Sequence, residues 1–449
     1  MRSDPVTQPN EAKIPTTFLQ AGAARFWLAV LCIGIGAGVS AVILTRLLEI
    51  VQHLVWAGSG TDILDAAARA GAWRHIIVLL GAGVVVGIGQ LVLVRLSSGN
   101  GIDITSAIWF SAGRMPAVRT LGSALLSVVV VGMGASLGRE GAPKQAGAIV
   151  ADLISDKGRL SDEQRRLLVA CGAGAGMAAA YGVPLGGALF ALEVLRGMLA
   201  LRLVLPALLA SLISTTISWL VLPNATTYQI PVFPYSAGTL AWALLIGPIA
   251  GIVAVGYVRT VAWADRNTPT GWQRWAAPVL ALGLIGLISI KFPQVLGNGR
   301  DLSELLFKGG IASSVLLLLL LILRPAATVL CLRSGAPGGL FTPSLTLGAL
   351  FGGLLGSAAS QLWPGVPLGL SAVLGAGAVL AATTQGPISA VVLMMELTGR
   401  DRSFIAPLLL AVITATLVSR TIEPRSIYEA RLSDEQVEAR LAAREPSPH

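Results

Sequence analysis

The sequence predicts an all-α, polytopic membrane protein built from two repeats of about 200 residues, with short and broken helices. Three observations carry that reading. The first is apolarity: of 449 residues, 54% are hydrophobic and 12% charged, with 52 glycines and a mean hydropathy of +0.76. A soluble domain carries about twice that share of charge, so most of this chain must be solvated by lipid. The second is segment length, since several apolar runs are long enough to cross a hydrocarbon core of roughly 30 Å while others are too short. The third is an internal repeat. Gly172-Ala173-Gly174-Ala175, Pro184 and Glu193 recur as Gly375-Ala376-Gly377-Ala378, Pro387 and Glu396, always 203 positions later.

The same composition excludes other classes. Lys+Arg number 32 against 23 Asp+Glu, a net charge of +9. In a soluble chain this would suggest nucleic acid as a partner; in a membrane chain it reads as basic loops on the cytosolic side. Cys32, Cys171 and Cys331 all sit in apolar surroundings and form no disulfide framework. The only histidines, His53, His75 and His449, are too scattered to build a metal site.

In chain order, residues 1–24 are polar, contain Pro5, Pro9 and Pro15 and lack a signal-peptide core, and are expected to form a cytosolic tail. A transmembrane domain is expected over 25–430, with repeats at approximately 25–222 and 238–423, and a second cytosolic tail over 431–449. Residues 26–48 and 75–96 are long enough to span. Residues 121–134, 184–195 and 387–397 are short and cut by Gly or Pro, which is tolerated in a membrane only where freed backbone faces protein or a watery cavity. Ser161 and Gln164, in a charged hairpin, are spaced as a capping box for the next helix, and the same Leu-Ser-Asp-Glu-Gln string at 432–436 predicts a second cap. Two further echoes, Gly99-Asn100-Gly101 with Gly297-Asn298-Gly299 and Gly141-Ala142-Pro143 with Gly335-Ala336-Pro337, keep the same order. Arginines follow both Glu193 and Glu396, so the charge rule leaves parallel and inverted repeats equally open.

The echoed loops carry the chemistry. Gly138-Arg139-Glu140-Gly141-Ala142-Pro143 and the acid-free string from Ser334 to Pro343 are glycine-rich turns entering helices. Such turns expose N–H groups at the positive end of the helix dipole, which makes an anion site without a full cation. A neutral donor cage suits a permeating anion because binding must stay weak enough for release. Glu140 is the odd feature: at a helix N-terminus a carboxylate can take the anion's place, and protonation would let it withdraw. A plain Arg139–Glu140 pair is the bland alternative, but an acid in a membrane segment is functional by default. The glycines over 172–176 and 348–356 read as close packing. Glu193 and Glu396 read as structural, each paired with a following arginine.

These residues resemble the CLC chloride channels and proton-coupled chloride exchangers, over about residues 25–432. The resemblance implies an inverted-repeat fold, a homodimer with one pore per subunit, both termini in the cytosol, and a bacterial plasma (inner) membrane location. It places Glu140 on the external gating glutamate. It puts Gly338, Leu340, Phe341 and Pro343 on the second anion-binding loop, with the amides of Leu340 and Phe341 facing the ion, and Tyr428 on the tyrosine of the central site. The anion-binding set it implies is Asn100, Gly138, Arg139, Gly141, Gly338, Leu340, Phe341 and Tyr428. About twenty residues follow Tyr428, so no C-terminal nucleotide-sensing domain is expected.

Three departures from the family pattern bear on activity. Asn100 stands where a serine is usual and Asp103 where a proline is usual, which opens the choice among chloride, nitrate and fluoride. The proline after Gly141 is displaced to Pro143, with Lys144 behind it as extra positive charge expected near the pore mouth. Val194 occupies the internal proton-transfer position, and valine relays no proton. The expectation is therefore passive or weakly coupled anion permeation, chloride first, through a voltage-gated channel type of pore gated by Glu140. A proton–chloride antiporter using another route, with Glu193 as a candidate proton-path residue, is the alternative. No cofactor is expected, the chloride ion being the transported ligand; the partners expected are a small anion, the bilayer and a second copy of the chain, with no nucleic acid. An intramembrane enzyme is disfavoured, because the chain carries no His-Glu-x-x-His, Gly-x-Ser-x-Gly or phosphate-loop motif.

Overall fold

The structure is a computed structural model that describes residues 14–15, 17, 19–20, 22–56, 63–96, 103–233, 236–359, 365–399, 404–432, 435 and 437. Among these residues there are seventeen α-helices, and the one β-type pairing is an isolated bridge between Gly138 and Gly339. The first half contains α1 (Ala23–Trp56), α2 (Ile63–Arg69), α3 (Ala72–Leu96), α4 (Ile104–Phe110), α5 (Ala117–Gly132), α6 (Gly141–Lys157), α7 (Asp162–Tyr181), α8 (Pro184–Leu189) and α9 (Leu201–Trp219). The second contains α10 (Ala237–Arg266), α11 (Gln273–Lys291), α12 (Arg300–Phe307), α13 (Ser314–Arg333), α14 (Phe341–Ala359), α15 (Leu368–Thr384), α16 (Pro387–Thr398) and α17 (Ile405–Ile422). Eight of the described helices are long and apolar enough to cross a membrane: α1, α3, α9, α10, α11, α13, α14 and α17. The protein is a polytopic, all-α membrane protein.

The local signals explain where these helices begin and end. Ser161 and Gln164 form the capping box of α7, the side chain of each accepting from the backbone of the other. The second such string, at 432–436, lies partly outside the described residues. α7 ends at Gly182 in the left-handed region (φ 69°), and Pro184 opens α8 at its first position. α15 ends on Gln385, also left-handed (φ 57°), and Pro387 opens α16 in the same way. Gln385 lies 203 positions after Gly182, so the repeat holds for the backbone turn even where the residue type differs. Arg420 donates to both the side chain and the carbonyl of Gln385, which holds this turn in place of glycine's freedom.

Packing repeats as well. α1 lies on α9 as α10 lies on α17, and α6 lies on α7 as α14 lies on α15. Glycines let these backbones touch. A Cβ on Gly176 would stand 2.0 Å from the Pro143 carbonyl oxygen, and one on Gly348 would stand 2.4 Å from that of Gly375. Close packing is thus the role of both glycine runs, because a lipid-embedded pair of helices gains from van der Waals contact rather than from burial against water.

Two acids fix the relation between the halves. Glu193 follows α8 in a π-helical turn (Phe190–Arg196) and accepts from the amides of Ile388 (3.2 Å) and Ser389 (2.6 Å), at the start of α16. Glu396, near the end of α16, accepts from the amides of Leu185 (3.0 Å) and Gly186 (2.6 Å), at the start of α8. Each helix therefore brings its acidic end to the other's N-terminus, so the two run antiparallel, as an inverted repeat requires. The expected pairing of Glu193 with a following arginine does not occur: Arg196 pairs instead with Glu163 at 2.5 Å. Orphan amides at a helix start, reinforced by the helix dipole, are the stronger attractors for a carboxylate here. Arg400 and Arg402 lie outside the described residues.

Arg324 of α13 is 1% exposed and donates to the carbonyls of Val295, Leu296 (2.9 Å) and Gly297 (2.5 Å). It supports the loop in which Gly297 and Gly299 are both left-handed and Asn298 caps the amide of Arg300. Beyond α17, Glu423 accepts from Arg425 (2.6 Å) and Arg259 of α10 (3.3 Å), clipping the C-terminal segment to the second repeat.

Two outcomes test this architecture. Glu193→Ala and Glu396→Ala should each lower stability by about 1–2 kcal/mol, the scale of losing a helix N-cap, read by thermal unfolding in detergent. Losses are expected at both sites because each acid caps the other helix, with the larger at Glu193, which also accepts from Ser389 Oγ; an effect at one alone would contradict the reciprocal arrangement. The hydrogen bonds of Arg425, helped by Arg259, hold the Glu423 carboxyl below the ordinary value of 4.5. A depressed folded value means that the clip's stabilisation is present above pH 4.5 and is lost as pH falls through the folded value. Thermal scans from pH 6 down to pH 3 should therefore lose more stability in wild type than in Glu423→Gln.

Candidate functional site

The two glycine-rich loops meet head-on inside the protein. Gly138 and Gly339 exchange backbone hydrogen bonds of 2.8 Å in each direction, which fixes the start of α6 against the start of α14. Glu140, immediately before α6, is fully buried at 0% exposure. Its Oε1 accepts from the Phe341 amide at 2.7 Å, at the first residue of α14. Its Oε2 accepts from the Thr342 hydroxyl at 3.0 Å and the Tyr181 hydroxyl at 3.3 Å. The carboxylate thus fills a cage made of a helix N-terminus and two hydroxyls, with no cation in contact among the described residues. Such a cage binds negative charge through aligned dipoles.

Glycine is required on both sides of that carboxylate. A Cβ on Gly138 would stand 2.2 Å from Glu140 Oε1, and one on Gly339 only 2.0 Å from the same atom. Gly141 faces the Gly339 amide at 2.9 Å from where its Cβ would be, and a Cβ on Gly338 would stand 2.5 Å from that of Leu137. These four positions therefore admit the acid and the crossing loops, and any larger residue would displace one of them. Leu340 is buried, and its carbonyl accepts from the amide (3.1 Å) and the hydroxyl (2.8 Å) of Ser344.

Arg139 makes no ion pair with Glu140. Its guanidinium lies over the ring of Tyr181, 4.9 Å from the centroid. The arginine thus lends charge to the edge of the cage without neutralising the carboxylate. Thr342 and Tyr181 were not expected among Glu140's partners. Thr342 stands in the first turn of the loop's helix, where a hydroxyl beside the orphan amides was the available signal; Tyr181 ends α7, 41 residues from Glu140, and nothing in the local sequence points to it.

A second cluster lies one turn further along α6. Tyr428 is 6% exposed, and its hydroxyl accepts from the Lys144 ammonium at 3.3 Å. Phe190 stands edge-on to Tyr428 (6.0 Å) and to Phe341 (6.4 Å), so one ring joins the two clusters. Lys144 is 4% exposed, not at a pore mouth as expected. As part of α6, with its amide bonded back to the Glu140 carbonyl at 3.2 Å, it projects into the same interior as the acid. Asn100 lies outside the described residues, so the first loop's contribution begins at Asp103, which caps α4 by accepting from Thr105 at 3.1 Å.

Val194 and Glu193 border an open cavity that Thr384, Gln385, Arg420 and Ser426 also line. Val194 is 4% exposed. Glu193 spends both carboxylate oxygens on α16, with Ser389 Oγ adding a third bond at 2.6 Å to the two amides. Among the described residues no group of three His, Cys, Asp or Glu side chains is placed to hold a metal ion.

Comparison with known proteins agrees with this arrangement. Residues 82–420 match the family model described as voltage gated chloride channel. The chain is 32% identical over 415 residues to a putative chloride channel protein ClcB-like from Ralstonia nicotianae, covering 88% of this chain and 94% of that one. It is 33% identical over 316 residues to the H(+)/Cl(-) exchange transporter ClcA of Vibrio cholerae, covering 67% of this chain and 66% of the relative. The fold is similar to that of a slow cyanobacterial Cl-/H+ antiporter, with a TM-score of 0.77 at 23% identity, covering 94% of this chain and 99% of that structure. With two crossing glycine loops, a buried acid between them and a sequence match over most of its length, the chain belongs to the voltage-gated chloride channel (CLC) family.

Proposed function

We propose that this protein carries chloride through a pore in each subunit, and that Glu140 is its gate. The observation that carries the reading is the carboxylate of Glu140 on the Phe341 amide at the start of α14. An amide cage aligned with a helix dipole favours any small anion, and the acid competes with the permeating ion for the same donors. Protonation removes the acid's charge and with it most of its claim on the cage. Flux should therefore rise as external pH falls. The Gly138, Arg139 and Gly141 loop and the Gly338–Phe341 loop then serve as the two walls of the external site. Tyr428, with Asn100 from the first loop, serves the central one.

Channel-like or weakly coupled movement follows from Val194, because a buried valine offers no group to carry a proton. A second reading, proton–chloride exchange by another route, draws support from the names of the ClcA relative and the cyanobacterial antiporter. Glu193 is a poor carrier for that route while it is held by three donors of α16. A homodimer in a bacterial plasma membrane with both termini in the cytosol is the assembly this reading implies.

Reconstitution in liposomes separates the readings. Chloride efflux without stoichiometric proton counterflow supports the channel-like pore, and proton uptake driven by a chloride gradient supports exchange. Glu140→Ala should make chloride flux nearly independent of external pH, and a mutant with the pH profile of wild type would refute the gate. Tyr428→Phe should change the chloride-to-nitrate permeability ratio by about fivefold, the scale of one hydrogen bond of about 1 kcal/mol; an unchanged ratio would remove the hydroxyl from the central site.

A further inference from the structure

Lys144 has no place in the gate just described, yet it is buried in the path that the gate controls. Its ammonium is a three-donor group and 96% of the residue is out of contact with solvent, since its exposure is 4%. The donors find one acceptor, Tyr428 Oη at 3.3 Å, and the faces of two rings, Phe190 at 5.1 Å and Tyr428 at 4.9 Å from their centroids. No carboxylate lies within ion-pair distance among the described residues. The charges that act on Lys144 from further away are Glu140 and Asp103 of negative sign and Arg431 of positive sign. An ammonium in such surroundings is costly to bury unless an anion shares the site.

The geometry says where that anion would sit. By accepting from Lys144, Tyr428 Oη uses a lone pair and leaves its own proton to donate. Lys144 and Tyr428 approach from elements 284 residues apart, so two donors of different chemistry converge on one point. Phe190 closes one side and touches Phe341, whose amide holds Glu140. Glu140, just before α6, and Lys144 stand four positions apart, a rise of about 6 Å along the helix. An ion released from the external cage would thus pass directly into the field of the ammonium.

We propose that Lys144 is a direct ligand of the permeating anion at the central site, a full cation added to a cage otherwise built from neutral donors. This deepens the anion-transport reading above and rests on it. A charge-assisted bond is about twice as strong as a neutral one. The central site of this chain should therefore hold a monovalent halide more tightly than a tyrosine hydroxyl alone would, and should pass it on more slowly.

Titration calorimetry of the purified full-length chain with sodium chloride tests the proposal. Lys144→Met, which keeps the length and removes the charge, should weaken chloride binding at least tenfold, whereas Lys144→Arg should stay within about threefold of wild type. Both variants are first checked for wild-type elution and thermal unfolding. Equal affinity in Lys144→Met and wild type overturns the proposal while leaving the transport reading intact. Wild-type protein that neither binds halide nor moves it in liposomes overturns the transport reading itself. Should the neutral variant fail to fold, anomalous density from bromide-soaked wild-type crystals decides the matter. Bromide in contact with both Lys144 Nζ and Tyr428 Oη supports the assignment, and bromide bound only away from Nζ overturns it.

Discussion

The structure turns on the meeting of two helix N-termini from opposite halves of the chain. α6 and α14 begin where Gly138 and Gly339 exchange hydrogen bonds, and the Glu140 carboxylate lies in the gap. Two positive dipole ends brought face to face repel each other and leave amides without intrahelical partners. A negative charge between them answers both problems at once. Here the Glu140 carboxylate supplies it. The need for four glycines around that point follows from the distances, since a Cβ at Gly138 or Gly339 would fall inside the carboxylate.

The same solution recurs, with other residues, at the second contact between the halves. Glu193 caps α16 and Glu396 caps α8, each from across the repeat boundary. One physical rule, carboxylate on an orphan helix start, therefore both joins the repeats and places Glu140 at the start of α14. The difference lies in commitment. Glu193 and Glu396 accept from the starts of α16 and α8 and act as fasteners. Glu140 rests on one amide and two hydroxyls inside the protein, the cage on which the proposed gate is built.

Burial of charge separates this chain from the pattern it otherwise follows. Arg324 is buried but answered by three carbonyls of one loop, and so acts as a structural brace. Lys144 is buried among rings and a hydroxyl, with its remaining donors unanswered by any carboxylate in contact among the described residues. The contrast lies in what each buried cation touches, not in its charge. Both keep their full charge, but Arg324 has spent donors on three backbone carbonyls, whereas the ammonium of Lys144 keeps donors to spare.

Much of this could be read from the residues alone. Composition and run length decide that lipid is the solvent, because 12% charge cannot cover a water-facing surface. The 203-residue repeat gives two equivalent halves, and the capping box and the proline starts set helix ends, because those signals act within one turn of chain. The glycine loops stand out as helix starts, and Glu140 as the acid between them. Tertiary structure alone decided the rest, since the remaining contacts join residues far apart in the chain. The inverted relation of the halves, the capping of helix starts by Glu193 and Glu396, and the partnership of Tyr181 and Thr342 with Glu140 all depend on which helix start lies opposite which acid. Lys144 is the clearest case. Nothing in its neighbourhood along the chain separates a residue at a pore mouth from one beside Tyr428, because a side chain's depth is set by the packing of the helix that carries it.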